Sequence, residues 1–485
     1  MNKHLSKLLC FLLVAISLFT LTSCKKEESS YDKNVLRIYN WQDYIDDGLD
    51  DDGNKVRLSV TELWQQDFYN RTGRNVEVVY DTFETPEIML NQIKTGKEFD
   101  LICPSDYTIQ KMLKEDMLEP FDEGALDDGY LKHVSPYLKD LFEENGWTNY
   151  AACYMWGTLG LIYNTDVISE EDVMHWKVMW DEKYKGQIST KDSVRDTYFM
   201  GVMYIYQEEL IEYRNQFITG AITPDEYNKK INEIANFTDD ATLRKVEEEL
   251  KKLKQNIFGL EVDSGKSDIV TGKIAMNLAW SGDAVYSMDL ADEEGITLAY
   301  SVPEEGSNVW FDGWCMPKGA NKELAQDFIN FVAKPEIAAL NMSKIGYTTS
   351  SVGDEIFDLI NDWYGSEEEE PEFEVDLSFY FGDSLSDDRL TDGKAIVYTD
   401  ELGRQFSAQY PTEDILYRCG IMRDFGDKNR DVLKMWSSFK SNSLSPVAYI
   451  LLAIIVLTII VVYVIHLVDK AKKNARRKKF RESRK

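Results

Sequence analysis

From Val447 to Val468 the chain carries 22 consecutive residues without a charge, opened by Pro446. Wound as a helix, that length matches the apolar thickness of a bilayer. Pro446 suits a first-turn position, where its missing N–H costs nothing. Lys470, Lys472, Lys473 and the basic run 476–479 follow directly. A basic flank marks the cytoplasmic side of a span. The expectation is one C-terminal transmembrane helix over 447–468, a basic cytoplasmic tail over 469–485, and a body held outside the cell.

The opposite end agrees. Met1–Ser23 has Lys3 and Lys7, then the apolar run Leu8–Leu21, which is short for a span. This is the layout of a secretory signal. Its close, Leu21-Thr22-Ser23-Cys24, resembles a bacterial lipobox. The resemblance implies a signal peptide over 1–23, cleavage before Cys24, and a diacylglycerol on the Cys24 thiol. Residues 24–34 then read as a linker to the body.

Net charge narrows the partners. The whole chain sums to −31, yet the first 23 residues contribute two positive charges and the tail eight, leaving −41 on the segment between. A body that acidic repels phosphate backbones, so no nucleic-acid partner is expected. It draws cations by long-range attraction instead. About 420 residues are too many for one ordinary core and enough for two lobes. Cys103, Cys153, Cys315 and Cys419 remain for the body, with no CxxC spacing to suggest a structural zinc. They leave two disulfides or buried free thiols equally open.

Strand and helix signals alternate along the body. Val35–Tyr39 reads as a buried strand. Ser59-Val60-Thr61-Glu62 is a capping box that starts a helix ending near Gly73. Asn75–Phe83, Phe99–Cys103 and Ile274–Ala279 read as further strands, and Ile109–Lys114 as a helix. Leu243, Val246, Leu250 and Leu253 share one helical face. Asn321 caps another helix, which Pro335 ends or follows. The order predicts an open α/β sheet architecture in two lobes. Asp46–Asn54, Glu208–Asp240 and Ser366–Asp392 are polar stretches expected to be solvated insertions.

Ligands of open α/β sheets bind beyond the strand ends. There the sequence repeats one pattern: Trp41 and Tyr44 after the first strand, Ser105 and Tyr107 after Phe99–Cys103, Trp280 after Ile274–Ala279, and Trp310 with Asp312. In an extended strand Trp310 and Asp312 face the same side. Aromatic faces attract a cation, and a carboxylate adds a charge-assisted hydrogen bond. This combination suits an organic ammonium ion. Other chemistries lack material. His133 and His175 are the only histidines of the body, so no metal site, no cofactor and no serine triad is expected. Gly259–Ser267 is similar to a phosphate loop, but five residues separate its glycines where four are needed.

Tyr39–Tyr44, Phe99–Tyr107, Tyr184–Gly186, Asp192–Asp196, Trp280–Gly282, Trp310–Asp312 and Ile345–Tyr347 together resemble the spermidine/putrescine-binding proteins of bacterial ABC transporters. The likeness runs from about Val35 to Lys440. It implies an α/β, two-lobed periplasmic-binding-protein-like fold with a hinge over 35–440. The first lobe would hold about 35–156 and 309–345, the second about 157–308 and 346–440. It implies a non-enzymatic protein that captures a polyamine for an ABC permease. Trp41, Tyr44, Tyr107, Trp280, Trp310 and Tyr347 would box the aliphatic chain. Asp312 would hold one ammonium with Ser105 beside it, and Asp192 and Asp196 would take the other. The same architecture could instead carry another organic cation or a metal chelate, or serve a membrane-tethered sensor.

Overall fold

The computed structural model describes residues 33–441, except 51, 367, 369–370 and 401–403, together with the isolated positions Thr458 and Tyr463. The signal segment, Cys24 and nearly all of Val447–Val468 lie outside the described residues. Among the described residues no helix is long and apolar enough to cross a membrane.

Strand β1 (Val35–Trp41) leads through helix α1 (Val60–Thr72) to β2 (Glu77–Phe83). The capping box forms as the sequence requires: Ser59 accepts from Glu62 N, and the Glu62 carboxylate accepts from Ser59 N. Gly73 ends the helix at φ +72°, a left-handed conformation that favours glycine. Next come β3 (Leu101–Ile102), α2 (Asp106–Lys114) and the long β4 (Ala151–Asn164). The second half adds β5 (Ile188–Lys191), α3 (Val194–Ile205), α4 (Asp240–Leu253), β6 (Gly259–Glu261), β7 (Met276–Trp280), α5 (Ser281–Glu293) and β8 (Ser307–Pro317). These strands lie side by side in the order β2-β1-β3-β8-β4-β7-β5-β6. Pairs β1/β2, β1/β3, β5/β7 and β5/β6 are parallel, whereas β8/β3, β8/β4 and β4/β7 are antiparallel.

Two apolar cores sit on this sheet. Strand β4 serves both: Ala151–Trp156 enter the first core, and Leu159, Leu161 and Tyr163 enter the second. Strand β8 pairs with it over Val309–Cys315, and the buried apolar residues of β8, from Val309 to Met316, lie in the first core. The ladder of the two strands slips between Asp312 and Gly313. Such a bulge bends a strand and re-aims the side chain beside it.

Residue-number boundaries do not divide the cores as expected. Ile269, Val285, Met288 and Tyr300, and later Ile356, Tyr380 and Leu416, were expected in the second lobe but pack into the first core. For Val285 and Met288 the reason is strand alternation. One face of β4 and β7 lies under α3 and α4, while helix α5 covers the other and joins the first core. Two of the supposed insertions are also structural. Leu210, Tyr227, Ile231 and Ile234 from Glu208–Asp240 fill the second core. Leu377, Tyr380 and Phe381 from Ser366–Asp392 fill the first. The Asp46–Asn54 loop is pinned by buried Asp46, which accepts two bonds from Arg57 at 3.0 and 2.9 Å.

All four cysteines of the described residues are buried free thiols, so the disulfide alternative falls. Burial pushes each thiol up, Cys419 to about 12, and also raises Cys103, Cys153 and Cys315.

Candidate functional site

Asp312 projects from β8 at the slipped register and is 7% exposed. Its Oδ1 accepts from Ser105 Oγ at 2.7 Å and its Oδ2 from Tyr44 Oη at 2.8 Å. Ser105 stands at the N-cap of α2 but makes no capping bond with its side chain. Its hydroxyl serves Asp312 instead. Burial raises the Asp312 carboxyl from its ordinary 3.8, while Ser105, Tyr44 and nearby Trp41 lower it, for a result of about 6. The Trp41 Nε1–H is buried without a hydrogen-bond partner of normal geometry, so its effect on Asp312 is a weak one.

The rings expected around this carboxylate come together. Tyr347 lies 5.5 Å from Trp310 and 5.7 Å from Tyr44, both edge-on. Two glycines make the room. A Cβ on Gly157 would fall 2.3 Å from Ser281 Oγ and 2.8 Å from the Trp310 ring. One on Gly282 would fall 1.9 Å from the Tyr347 ring, so that ring rests on the bare backbone of α5. Trp310 Nε1 donates to Thr158 O at 3.1 Å, and Tyr347 Oη donates to Asp283 Oδ1 at 2.7 Å. Both polar ends are satisfied, which leaves the ring faces fixed for contact.

A second group of expected residues forms the opposite wall, and it already contains cations. Arg195 Cζ sits 4.2 Å from the centre of the Tyr107 ring and 4.1 Å from that of Phe425. Lys191 Nζ sits 4.3 Å from the centre of Trp280. Asp196 is buried, and burial raises its carboxyl against the lowering influence of Ser193, Lys191, Trp280 and Arg195. Asp192 is not part of this group. It holds Lys440 Nζ at 2.6 and 2.8 Å on a partly exposed face.

Three residues here were not singled out from sequence. Asp106 is buried beside Ser105, with Oδ2 unpartnered and its carboxyl raised well above normal by burial. Arg195 lowers the Asp106 value, while Asp312 and Asp196 raise it, so this acid stands between the two walls. Its place in Pro104-Ser105-Asp106-Tyr107 was the available signal. Asp283 had a like signal in Trp280-Ser281-Gly282-Asp283, whereas Lys191 had none, because its partner Asp283 lies 92 residues away in the chain. The walls also touch directly: Gln110 Nε2 on α2 donates to Met422 O at 3.0 Å.

A carboxylate with fixed donors, ringed by aromatic faces and opposed by a mixed acid–base wall, can hold a small organic cation. Comparison with known proteins agrees with this chemistry. The family model described as bacterial extracellular solute-binding protein matches residues 64–353. The chain is 27% identical over 325 residues to the spermidine/putrescine-binding periplasmic protein of Escherichia coli K12, covering 66% of this chain and 79% of that one. It is 27% identical over 365 residues to the putrescine-binding periplasmic protein PotF of the same organism, covering 72% and 85%. Its fold is similar to the crystal structure of the spermidine/putrescine ABC transporter substrate-binding protein PotD of Streptococcus pneumoniae, with 25% identity, TM-score 0.56, and 84% and 98% of the two chains covered.

Proposed function

Because this chain belongs to the bacterial extracellular solute-binding proteins, we propose that it captures a polyamine outside the cell and delivers it to an ABC permease, without catalysing a reaction. One observation carries the reading: Asp312 is buried with both oxygens aligned by Ser105 and Tyr44, at the edge of the Trp310–Tyr347 pair. An ammonium at Asp312 gains a charge-assisted hydrogen bond in a site that water reaches poorly. The ring faces flank the methylenes and add cation–π attraction of about 0.5–2 kcal/mol per contact. The relatives named for spermidine and putrescine support the choice of ligand. The two cores, joined by β4, support closure by a hinge around the bound amine.

Calorimetry on the full-length protein in detergent micelles tests this. Putrescine, cadaverine, spermidine or spermine at millimolar concentration is expected to give saturable heat. Silence from all four would remove the reading. The aromatic box has its own check. Gly282→Ala forces the Tyr347 ring away and is expected to weaken amine binding by about 10- to 100-fold, or roughly 1.4–2.8 kcal/mol. An unchanged affinity in that variant would mean that Tyr347 does not line the ligand.

Retention at the membrane would come from the Cys24 lipid and the Val447–Val468 helix. A spanning helix is effectively irreversible, whereas one acyl chain anchors only marginally. The tether would keep the binding protein at high effective concentration beside its permease. Stopping the chain after Ser441 should release a large soluble fraction on cell fractionation. Full membrane retention of that truncation would assign the anchor to Cys24 instead.

A further inference from the structure

Helix α6 (Asn429–Lys440) is the last described element before the expected membrane span. Val432, Met435, Trp436 and Phe439 bury one of its sides in the second core. Three bridges in register set it parallel to α4. Lys428 Nζ donates to Asp240 Oδ1 at 2.7 Å, and Ser438 Oγ to Glu247 Oε1 at 2.7 Å. Lys254 Nζ donates to the carbonyls of Phe439, Lys440 and Ser441 at 2.8, 3.0 and 3.1 Å. Those last bonds satisfy carbonyls that a helix end leaves open. Lys440 Nζ also holds Asp192, so the chain leaves the body at a fixed point.

Six residues, from Ser441 to Pro446, separate that point from Val447. At full extension they reach about 20 Å. Ser441 and the α4–α6 pair that ends there are therefore held close to the bilayer. Their charge differs from that of the rest of the body. Residues 240–254 and 429–440 together hold eight bases and five acids, a net +3 within a segment that sums to −41. Arg244, Lys245, Arg430 and Lys434 are exposed and form no ion pair among the described residues. Leu433, 44% exposed, stands among them on α6. Charges at physiological salt are screened over about 8–10 Å. A surface against this pair responds to the local excess of bases and not to the acidic body behind it.

We propose that the exposed face of α4 and α6, around Arg244, Lys245, Arg430, Leu433 and Lys434, docks on the anionic phospholipid surface of the membrane that holds the tether. This rests on the reading of Val447–Val468 as a membrane span and is independent of the ligand. Bases beside an anionic bilayer are drawn to its headgroup phosphates, and an apolar side chain among them enters the interface. The short spacer makes the encounter intramolecular, so a few unpaired cations suffice where a free protein would bind weakly. Docking holds the second core in one orientation at the membrane, where the proposed permease partner lies.

Lysine footprinting gives the test, on the full chain in nanodiscs of phosphatidylcholine alone or mixed with phosphatidylglycerol. A brief amine acylation, read by mass spectrometry, should label Lys245, Lys251 and Lys434 more slowly on the anionic discs, by about threefold or more. Lys139, exposed beside Leu138 of the first core, should label equally on both. A variant combining Arg244→Gln, Lys245→Gln, Arg430→Gln and Lys434→Gln alters only exposed side chains and should fold. In that variant the slowing at Lys251 should vanish. Equal labelling of Lys245 and Lys434 on the two lipids overturns the proposal, as does equal slowing at Lys139. Slowing that requires the native permease instead of anionic lipid assigns the face to that protein, and overturns it too. A chain that washes off the discs removes the membrane-span reading itself, which is a different result.

Discussion

Asp312→Asn is expected to lower polyamine affinity by about 30- to several thousand-fold, because truncating one partner of a buried charge pair costs about 2–5 kcal/mol. The substitution leaves an ammonium without its anion, while the amide oxygen still accepts from Ser105 or Tyr44. Titration calorimetry at pH 7.5 reads the loss directly. A wild-type dissociation constant in a folded Asp312→Asn protein would sink the assignment. The same carboxyl also sets the pH profile. Its pKa in the free protein is raised to about 6. Above that value it is ionised and ready for the cation; below it, the ligand must first displace a proton. Affinity should therefore be flat near pH 7.5 and fall by up to tenfold per pH unit well below pH 6. Asp312→Asn should flatten that part of the profile. A wild-type affinity constant from pH 7.5 down to pH 4.5 would exclude a titrating Asp312 as the ammonium partner.

Trp314→Ala should be the complementary variant, with its large effect on folding. Trp314 lies two residues beyond Asp312 on β8, is 1% exposed, and packs tilted at 4.9 Å against Tyr154 and edge-on at 5.8 Å against Phe328. Emptying that volume should cost about 3–5 kcal/mol, since a buried indole is lost and the cavity closes only partly. The fall in urea midpoint, followed by circular dichroism, measures it. A midpoint within experimental error of wild type would show that the β8 core is far less tightly packed than the ring distances imply. Together the two variants separate ligand capture from stability on one strand.

Local chemistry made much of the fold legible. The Ser59–Glu62 capping box and the Asn321 cap are written in consecutive residues and form as expected. Leu243, Val246, Leu250 and Leu253 are all buried on α4, because helical spacing alone puts them on one face. The first carboxylate wall was legible for the same reason: Trp310, Asp312 and Ser105 stand at strand ends where alternation and motif order agree. Distant pairing was not legible. Lys191 follows Ser189 and Thr190 in a polar stretch that carries no local sign of burial. Its burial is decided by Glu261, Trp280 and Asp283, far along the chain. Polar composition misled at Glu208–Asp240, where a minority of apolar residues at helical spacing, Tyr227, Ile231 and Ile234, faces the second core. Asp192 shows the converse, for its local motif placed it with Asp196 while Lys440 draws it elsewhere.

The sealed thiols turn the molecule into its own opening gauge. Cys103, Cys153 and Cys315 lie under the first core around the strand that carries Asp312, and Cys419 lies beside β8 near Ser307. Only a thiolate reacts readily with alkylating reagents, and each of these is both covered and protonated. A brief pulse of maleimide should thus leave the native chain unlabelled at these four positions and mark a molecule only while its interior is exposed. Mass counted per pulse then reports how often the first core opens, and how much a bound amine suppresses that event, with no dye or engineered probe attached.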